Sequence, residues 1–137
     1  LRAISSAGRE DALNQIILNR TVSAFNHRDF AGAARQAAEG LATATGADEA
    51  FWMGLGEACE GMLFLMENQL TRAEHKLIMA LRTLRNFGFR YENFEVTSTL
   101  AGVRRVVEEI RLVRSNRGKV FDMTLLPRMK MAAIADD

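Results

Sequence analysis

The chain has 137 residues, of which 48% are hydrophobic and 26% charged, with a single proline and a formal net charge of +1. That length accommodates one ordinary core and excludes two, and the hydrophobic content excludes a disordered polyelectrolyte. One cysteine, Cys59, excludes an intramolecular disulfide, and the most apolar stretch, Phe51 to Met66, is interrupted by Glu57 and Glu60, which excludes a membrane span there.

In chain order, a first helix is predicted from about Glu10 to Ala24, with Leu13, Ile16, Ile17, Val22 and Ala24 as its apolar stripe behind an acidic start. Asp29 is a predicted N-cap for a second, alanine-rich helix that stops near Gly46, thin enough to pack closely on one side. Asp48 is expected to cap a third helix, Glu49 to about Glu67. Its apolar residues cover most of the circumference, so it should be the central, buried helix. Gly54, Gly56 and Gly61 each cost about 1 kcal/mol relative to alanine inside that helix, a cost explained if another helix backbone approaches there.

Thr71-Arg72-Ala73-Glu74 reads as a capping box opening a fourth helix, whose inner face is Ala73, Leu77, Ala80, Leu81 and Leu84 and which Gly88 terminates. The segment Phe87 to Phe94 holds four aromatic side chains in eight residues and is expected to cover one end of the core. A fifth helix, from Thr97 or Ser98 to about Ser115, buries Leu100, Val103, Val107, Ile110 and Val113. Its outer face offers Arg104 to Glu108 and Arg105 to Glu109 as i, i+4 pairs. From Lys119 to Asp137 apolar residues, including Phe121, Leu125, Leu126, Met129 and Ile134, continue without long helical periodicity. That predicts an arm docked on a groove or a partner-binding tail.

Residues 25–41 and 65–81 repeat one pattern forty positions apart: Phe25/Leu65, Phe30/Leu70, Ala33/Ala73, Ala37/Leu77, Gly40/Ala80 and Leu41/Leu81. Each copy places a polar turn before a helix with small or apolar residues at i, i+4 and i+7, so the repeated unit is a helical hairpin. The second copy carries the small-large-small pattern of a tetratricopeptide second helix on Ala73, Leu77 and Ala80. Trp52 to Gly56 lies about five residues too far upstream for a standard unit, which implies a lengthened first helix.

This arrangement resembles an all-helical family catalogued as domain of unknown function 309, with bacterial, archaeal and plastid members. Phe25, Asn26, Phe30 and Ala33 fit its first hairpin; Trp52, Gly54, Leu55, Asn68, Leu70, Ala73, Leu77, Ala80 and Leu81 fit its second. The resemblance covers about residues 12–113 and implies the fold. Where the family places an acidic residue, a histidine and another acidic residue, this chain has Gly32, Ala34 and Arg35, so any polar site built on that face in relatives is absent, and no activity is implied.

No phosphate-binding glycine loop, nucleophile elbow or dinucleotide fingerprint occurs, and no catalytic, metal or cofactor-binding residues are assigned. His27 and His75 lack paired metal-ligand spacing and read as surface histidines. Glu57 and Glu60, at i, i+3 on the apolar third helix, are the candidates for an unusual site, with arginines of the basic half as their expected partners. Cys59 reads as a small buried hydrophobe. Charge is uneven: residues 1–81 carry seven Lys/Arg against ten Asp/Glu (−3), residues 82–131 eleven against five (+6), and Asp136 and Asp137 add −2.

The expected fold is all-α: a five-helix bundle of two tetratricopeptide-like hairpins and a closing helix in one domain, residues 1–118, followed by an arm, residues 119–137. The expected function is a non-catalytic protein-interaction or assembly module, with Arg104, Arg105, Arg111, Arg114, Phe121, Leu125, Leu126 and Met129 as interface candidates. The alternative is a nucleic-acid-associated protein using the basic half, where Arg117 and Lys119 would join the helix-five arginines on phosphates. A third reading is a metal protein or enzyme using Glu57, Glu60 and His75. A soluble, reducing compartment is expected from the lone cysteine, the cytoplasm or, by family distribution, the plastid stroma. The start at Leu1 reads as a processed product or a fragment, from which any targeting peptide would already be missing.

Overall fold

The structure, a computed structural model, describes residues 6–132. Five α-helices follow one another: α1 (Ser6–Asn26), α2 (Phe30–Thr43), α3 (Ala47–Met66), α4 (Leu70–Leu84) and α5 (Val96–Ser115). Each packs against the next in sequence, so α3 lies between α2 and α4. The expected all-α bundle is what forms, and no helix among the described residues is long and apolar enough to cross a membrane.

The forty-residue repeat is written into the backbone. At the first turn the Arg28 amide donates to the Phe25 carbonyl and the Asp29 amide to Ala24; at the second, Asn68 donates to Leu65 and Gln69 to Phe64. Arg28 and Asn68 both adopt positive φ, 66° and 59°, the left-handed step that stops one helix and turns the chain into the next. The copies differ at the cap. Asp29 accepts the Gly32 amide at 2.9 Å, as expected, whereas Gln69 makes no side-chain cap.

Two other caps are corrected. The helix at the second turn already starts at Leu70, because the duplicated turn delivers the chain there, so Thr71 and Glu74 fall inside the helix and form no capping box. Glu74 instead reaches α5. Likewise α3 starts at Ala47 with Gly46 as N-cap, and Asp48 lies in its first turn, where it accepts a hydrogen bond from the Tyr91 hydroxyl. α1 starts at Ser6, a turn before the expected position, and its buried stripe is Ile17, Leu18, Thr21, Val22 and Phe25. Leu13 and Ile16, expected inside, are about half exposed.

α3 is the buried centre. Phe51, Trp52, Leu55, Ala58, Cys59 and Met62 are essentially inaccessible, and Trp52 sits against α2 where Gly40 has no side chain. α4 does approach the α3 glycines, chiefly with side chains where a backbone was expected: a Cβ at Gly61 would lie 2.6 Å from Leu77 Cδ2 and 3.3 Å from the Leu77 backbone nitrogen, and one at Gly54 3.0 Å from Leu84 Cδ2. Gly56 is different, since its nearest neighbour, the Ala37 methyl, stands 3.7 Å away.

Between α4 and α5 the chain makes a 3-10 turn, Arg85–Phe87, and a short antiparallel hairpin, β1 (Arg90–Tyr91) and β2 (Phe94–Glu95). Phe51 is the hub of the aromatic end cap: Tyr91 stacks on it at 3.8 Å between centroids, while Phe87 and Phe94 meet it edge-on. Phe89, the fourth aromatic of the segment, points outward at 65% exposure.

The arm belongs to the fold. After a turn at Gly118 it passes through a second 3-10 turn, Met123–Leu125, and runs back along α5, where Pro127 fills the notch at Gly102; a Cβ there would meet Pro127 Cβ at 2.7 Å. Met131 bridges Phe94 antiparallel, and the Glu95 amide donates to Lys130. The Asn26 side chain clasps Met129 at two points, Nδ2 donating to its carbonyl at 2.9 Å and Oδ1 accepting its amide at 2.8 Å. Arg28 donates to the carbonyls of Leu126 and Pro127. Ile134, Asp136 and Asp137 lie outside the described residues.

Glu109 fastens the start of the arm and does not pair with Arg105. Its Oε2 accepts from Lys119 Nζ at 2.8 Å and from the Asp122 amide at 2.9 Å. These bonds favour the carboxylate and hold Glu109 below its ordinary 4.5, Lys119 being the larger cause. Because the folded value is depressed, this contribution is complete above the unfolded value and is lost as pH falls through the folded one. The Glu109 side-chain carboxyl resonance is therefore expected to titrate with a midpoint below 4.5, and Lys119→Met to move it upward. A midpoint at or above 4.5 would contradict the assignment.

Candidate functional site

A groove runs where α2, α3 and α4 meet. Its α2 wall is Ala34, Ala37, Ala38 and Leu41; its α3 floor is Met53, Gly56, Glu57 and Glu60, beside Trp52; Lys76 and Met79 of α4 close the far side. On both α2 and α3 these positions fall at i, i+3, i+4 and i+7, one face of each helix turned toward the other. Small residues on that face hold the groove open, with a volume of about 230 Å³.

Glu57 is the unusual group. It is only 5% exposed, yet Oε2 has no hydrogen-bond partner. Burial pushes its carboxyl above the ordinary range; Lys76 pulls it partly back, Glu60 raises it again, and His75 lowers it slightly. Glu60, at the more open end, is 3.3 Å from Lys76 Nζ. The carboxylates thus face α4, and the expected pairing with arginines of the basic half is corrected: α3 is separated from α5 by α4, which supplies the nearer cation.

His75 is exposed on α4, and among the described residues no three His, Cys, Asp or Glu side chains converge as a donor set for a metal. His27 is exposed, with Nδ1 2.6 Å from the Ser23 carbonyl oxygen. Cys59 is inaccessible, and burial drives its thiol far above the ordinary range, leaving no thiolate for chemistry.

The expected interface residues divide into separate groups. Arg111 and Arg114 both engage Glu74, at 3.3 and 2.8 Å, and so join α5 to α4. Arg104 and Arg105 are exposed and make no ion pair among the described residues. Met129 is core in this fold: at 3% exposure it is held in place by Asn26. Phe121 and Leu126 are half-buried against the same core, and Leu125 is half-buried beside them. What the arm presents outward is Val120 and Met123, which with Met66 border an open apolar depression at the α3–α4 turn.

Comparison with protein-family models, curated proteins and solved structures returns no match. Function is therefore read from geometry.

The groove could have been suspected from the i, i+3, i+4, i+7 series of three alanines and a leucine at 34, 37, 38 and 41. The sequence contains a matching series at 53, 56, 57 and 60, but the apolar residues around α3 hide which face is left open.

Proposed function

We propose that this chain is a non-catalytic helical interaction or assembly module, and that a segment of a partner protein seats in the groove between α2, α3 and α4. The groove carries the reading: it is concave, largely apolar, smaller than the ~300–1,000 Å³ usual for small-molecule sites, and built on helices rather than loops. Consecutive helices stacked each on the next support a tetratricopeptide-like organisation, consistent with the resemblance to domain of unknown function 309. The exposed apolar residues Met66, Val120 and Met123 add a second contact surface at the bundle end.

The arm does not serve as the test, because deleting it removes core residues. Ala38 lies exposed on the groove wall, so Ala38→Leu fills the groove and leaves the core untouched. Proteins co-purifying with the wild-type chain from its native source should be lost with Ala38→Leu while the circular dichroism spectrum is unchanged. An identical set of partners on both baits would remove the groove from the proposal. Salt-sensitive retention on RNA, abolished by replacing Arg104 and Arg105, would favour the nucleic-acid alternative instead.

A further inference from the structure

The geometry points to a receptor for one lysine side chain of a partner protein, its ammonium seated at Glu57 and its alkyl stem lying between the α2 alanines and the methionines Met53 and Met79. This rests on the groove reading above and names the chemistry of the occupant. Three observations carry it.

The first is an unsatisfied acceptor. Glu57 is 95% buried by the complement of its 5% exposure, lines the groove and leaves Oε2 without a donor. Buried carboxylate oxygens are ordinarily paired; here Oε2 is closed off from solvent, and Oε1, the reachable oxygen, has no hydrogen bond either, so a donor entering the groove would meet Oε1. The second is the local charge. Glu57 and Glu60 contribute −2 and Lys76 +1, so the groove carries −1 and one monovalent cation neutralises it. Lys76 is already in that sum: it pairs with Glu60 and its charge also acts on Glu57, which leaves one negative charge over.

The third is shape and lining. A volume of about 230 Å³ suits a single long side chain. The Ala37 and Ala38 methyls, Leu41 and the two thioethers provide an apolar sleeve of the kind that packs the methylenes of a lysine while its head is paired. A guanidinium fits less well: its five-donor fork calls for two acceptors side by side, and Glu57 Oε2 is closed off, which leaves Oε1 reachable and matches a compact ammonium on a flexible stem.

The test uses the whole isotope-labelled protein and defined probes. n-Butylammonium should produce saturable shifts at the backbone amides of Ala37, Ala38, Gly56 and Glu57. n-Pentanol, with similar length and no charge, should bind about tenfold more weakly. Glu57→Gln should reduce the amine to the alcohol's level, and Ala38→Leu should abolish both without changing the rest of the spectrum. Equal binding of amine and alcohol, or no response at the groove, overturns the ammonium assignment.

A pentapeptide, acetyl-Ala-Leu-Lys-Leu-Ala-amide, compared with the same peptide acetylated on the lysine, separates sources. Binding by the free-amine form alone supports a partner's lysine. Binding of butylammonium without the peptide shows a site for small amines and overturns the protein source. If Ala38→Leu removes native partners while Glu57→Gln does not, the module survives and the lysine assignment falls.

Discussion

Gly40→Ala is expected to destabilise the protein by about 2 kcal/mol, the reverse of what an added methyl does inside most helices. In an ordinary helix the change from glycine to alanine gains ~1 kcal/mol by reducing the freedom of the unfolded chain and improving propensity. At Gly40 the new Cβ would collide with three atoms of the Trp52 indole. That ring is rigid, 1% exposed and in edge contact with Phe51, so it cannot yield as the tip of a flexible side chain would. Overpacking of this kind costs roughly 1–3 kcal/mol, and the upper part of that range outweighs the helix gain.

Gly56→Ala is the internal control. It makes the same chemical change one helix away, where the Ala37 methyl stands at 3.7 Å and nothing must move. It should stabilise by about 0.5–1 kcal/mol. Thermal or urea unfolding of the two variants should therefore bracket the wild type, with Gly40→Ala also shifting the tryptophan emission. If both substitutions stabilise, the close packing of Trp52 against α2 is wrong.

Asn26→Ala is expected to cost ~2–3 kcal/mol, from two hydrogen bonds lost and two backbone groups of Met129 left without partners. Asn26→Asp should be nearly as damaging, because it keeps the acceptor for the Met129 amide but sets a carboxylate oxygen against the Met129 carbonyl. The second readout is local. Arg128 and Lys130 flank Met129 and are exposed, so trypsin should cut at them faster once the clasp is gone. Unchanged cleavage together with unchanged stability would mean that Pro127 and Met131 hold the arm unaided.

The elements that could be read from residue order are those whose signals are local. The duplicated turn was visible as Phe25/Leu65 through Leu41/Leu81 and reappears as matching backbone bonds at 28–29 and 68–69. The α3 glycines announced a close approach, which Leu77 and Leu84 make. Errors arose where a local motif competed with a tertiary demand. Thr71 to Glu74 has the composition of a capping box, but the repeat sets the start of α4 at Leu70, freeing Glu74 for Arg111 and Arg114. Leu13 and Ile16 are as apolar as Ile17 and Leu18, and only the position of α2 decides which pair is covered.

The site was half legible. Spacing placed Glu57 and Glu60 on one turn of α3, whereas their cation, Lys76, comes from the next helix and bears no sequence relation that spacing could reveal. Glu109 illustrates the same limit: an i−4 arginine was the nearest candidate along α5, and a lysine ten residues onward won because the chain doubles back. Aperiodic apolar residues after Gly118 correctly denied a long helix, but whether Met129 faced inward depended on Asn26, 103 positions earlier.

That span has a consequence for biosynthesis. On the ribosome the first hairpin emerges with its corner amide facing water, since the stretch that completes it is translated after all five helices. A nascent chain stalled before Met129 would therefore carry an open seam along α5, with bare valines and an uncapped aromatic end for chaperones to cover.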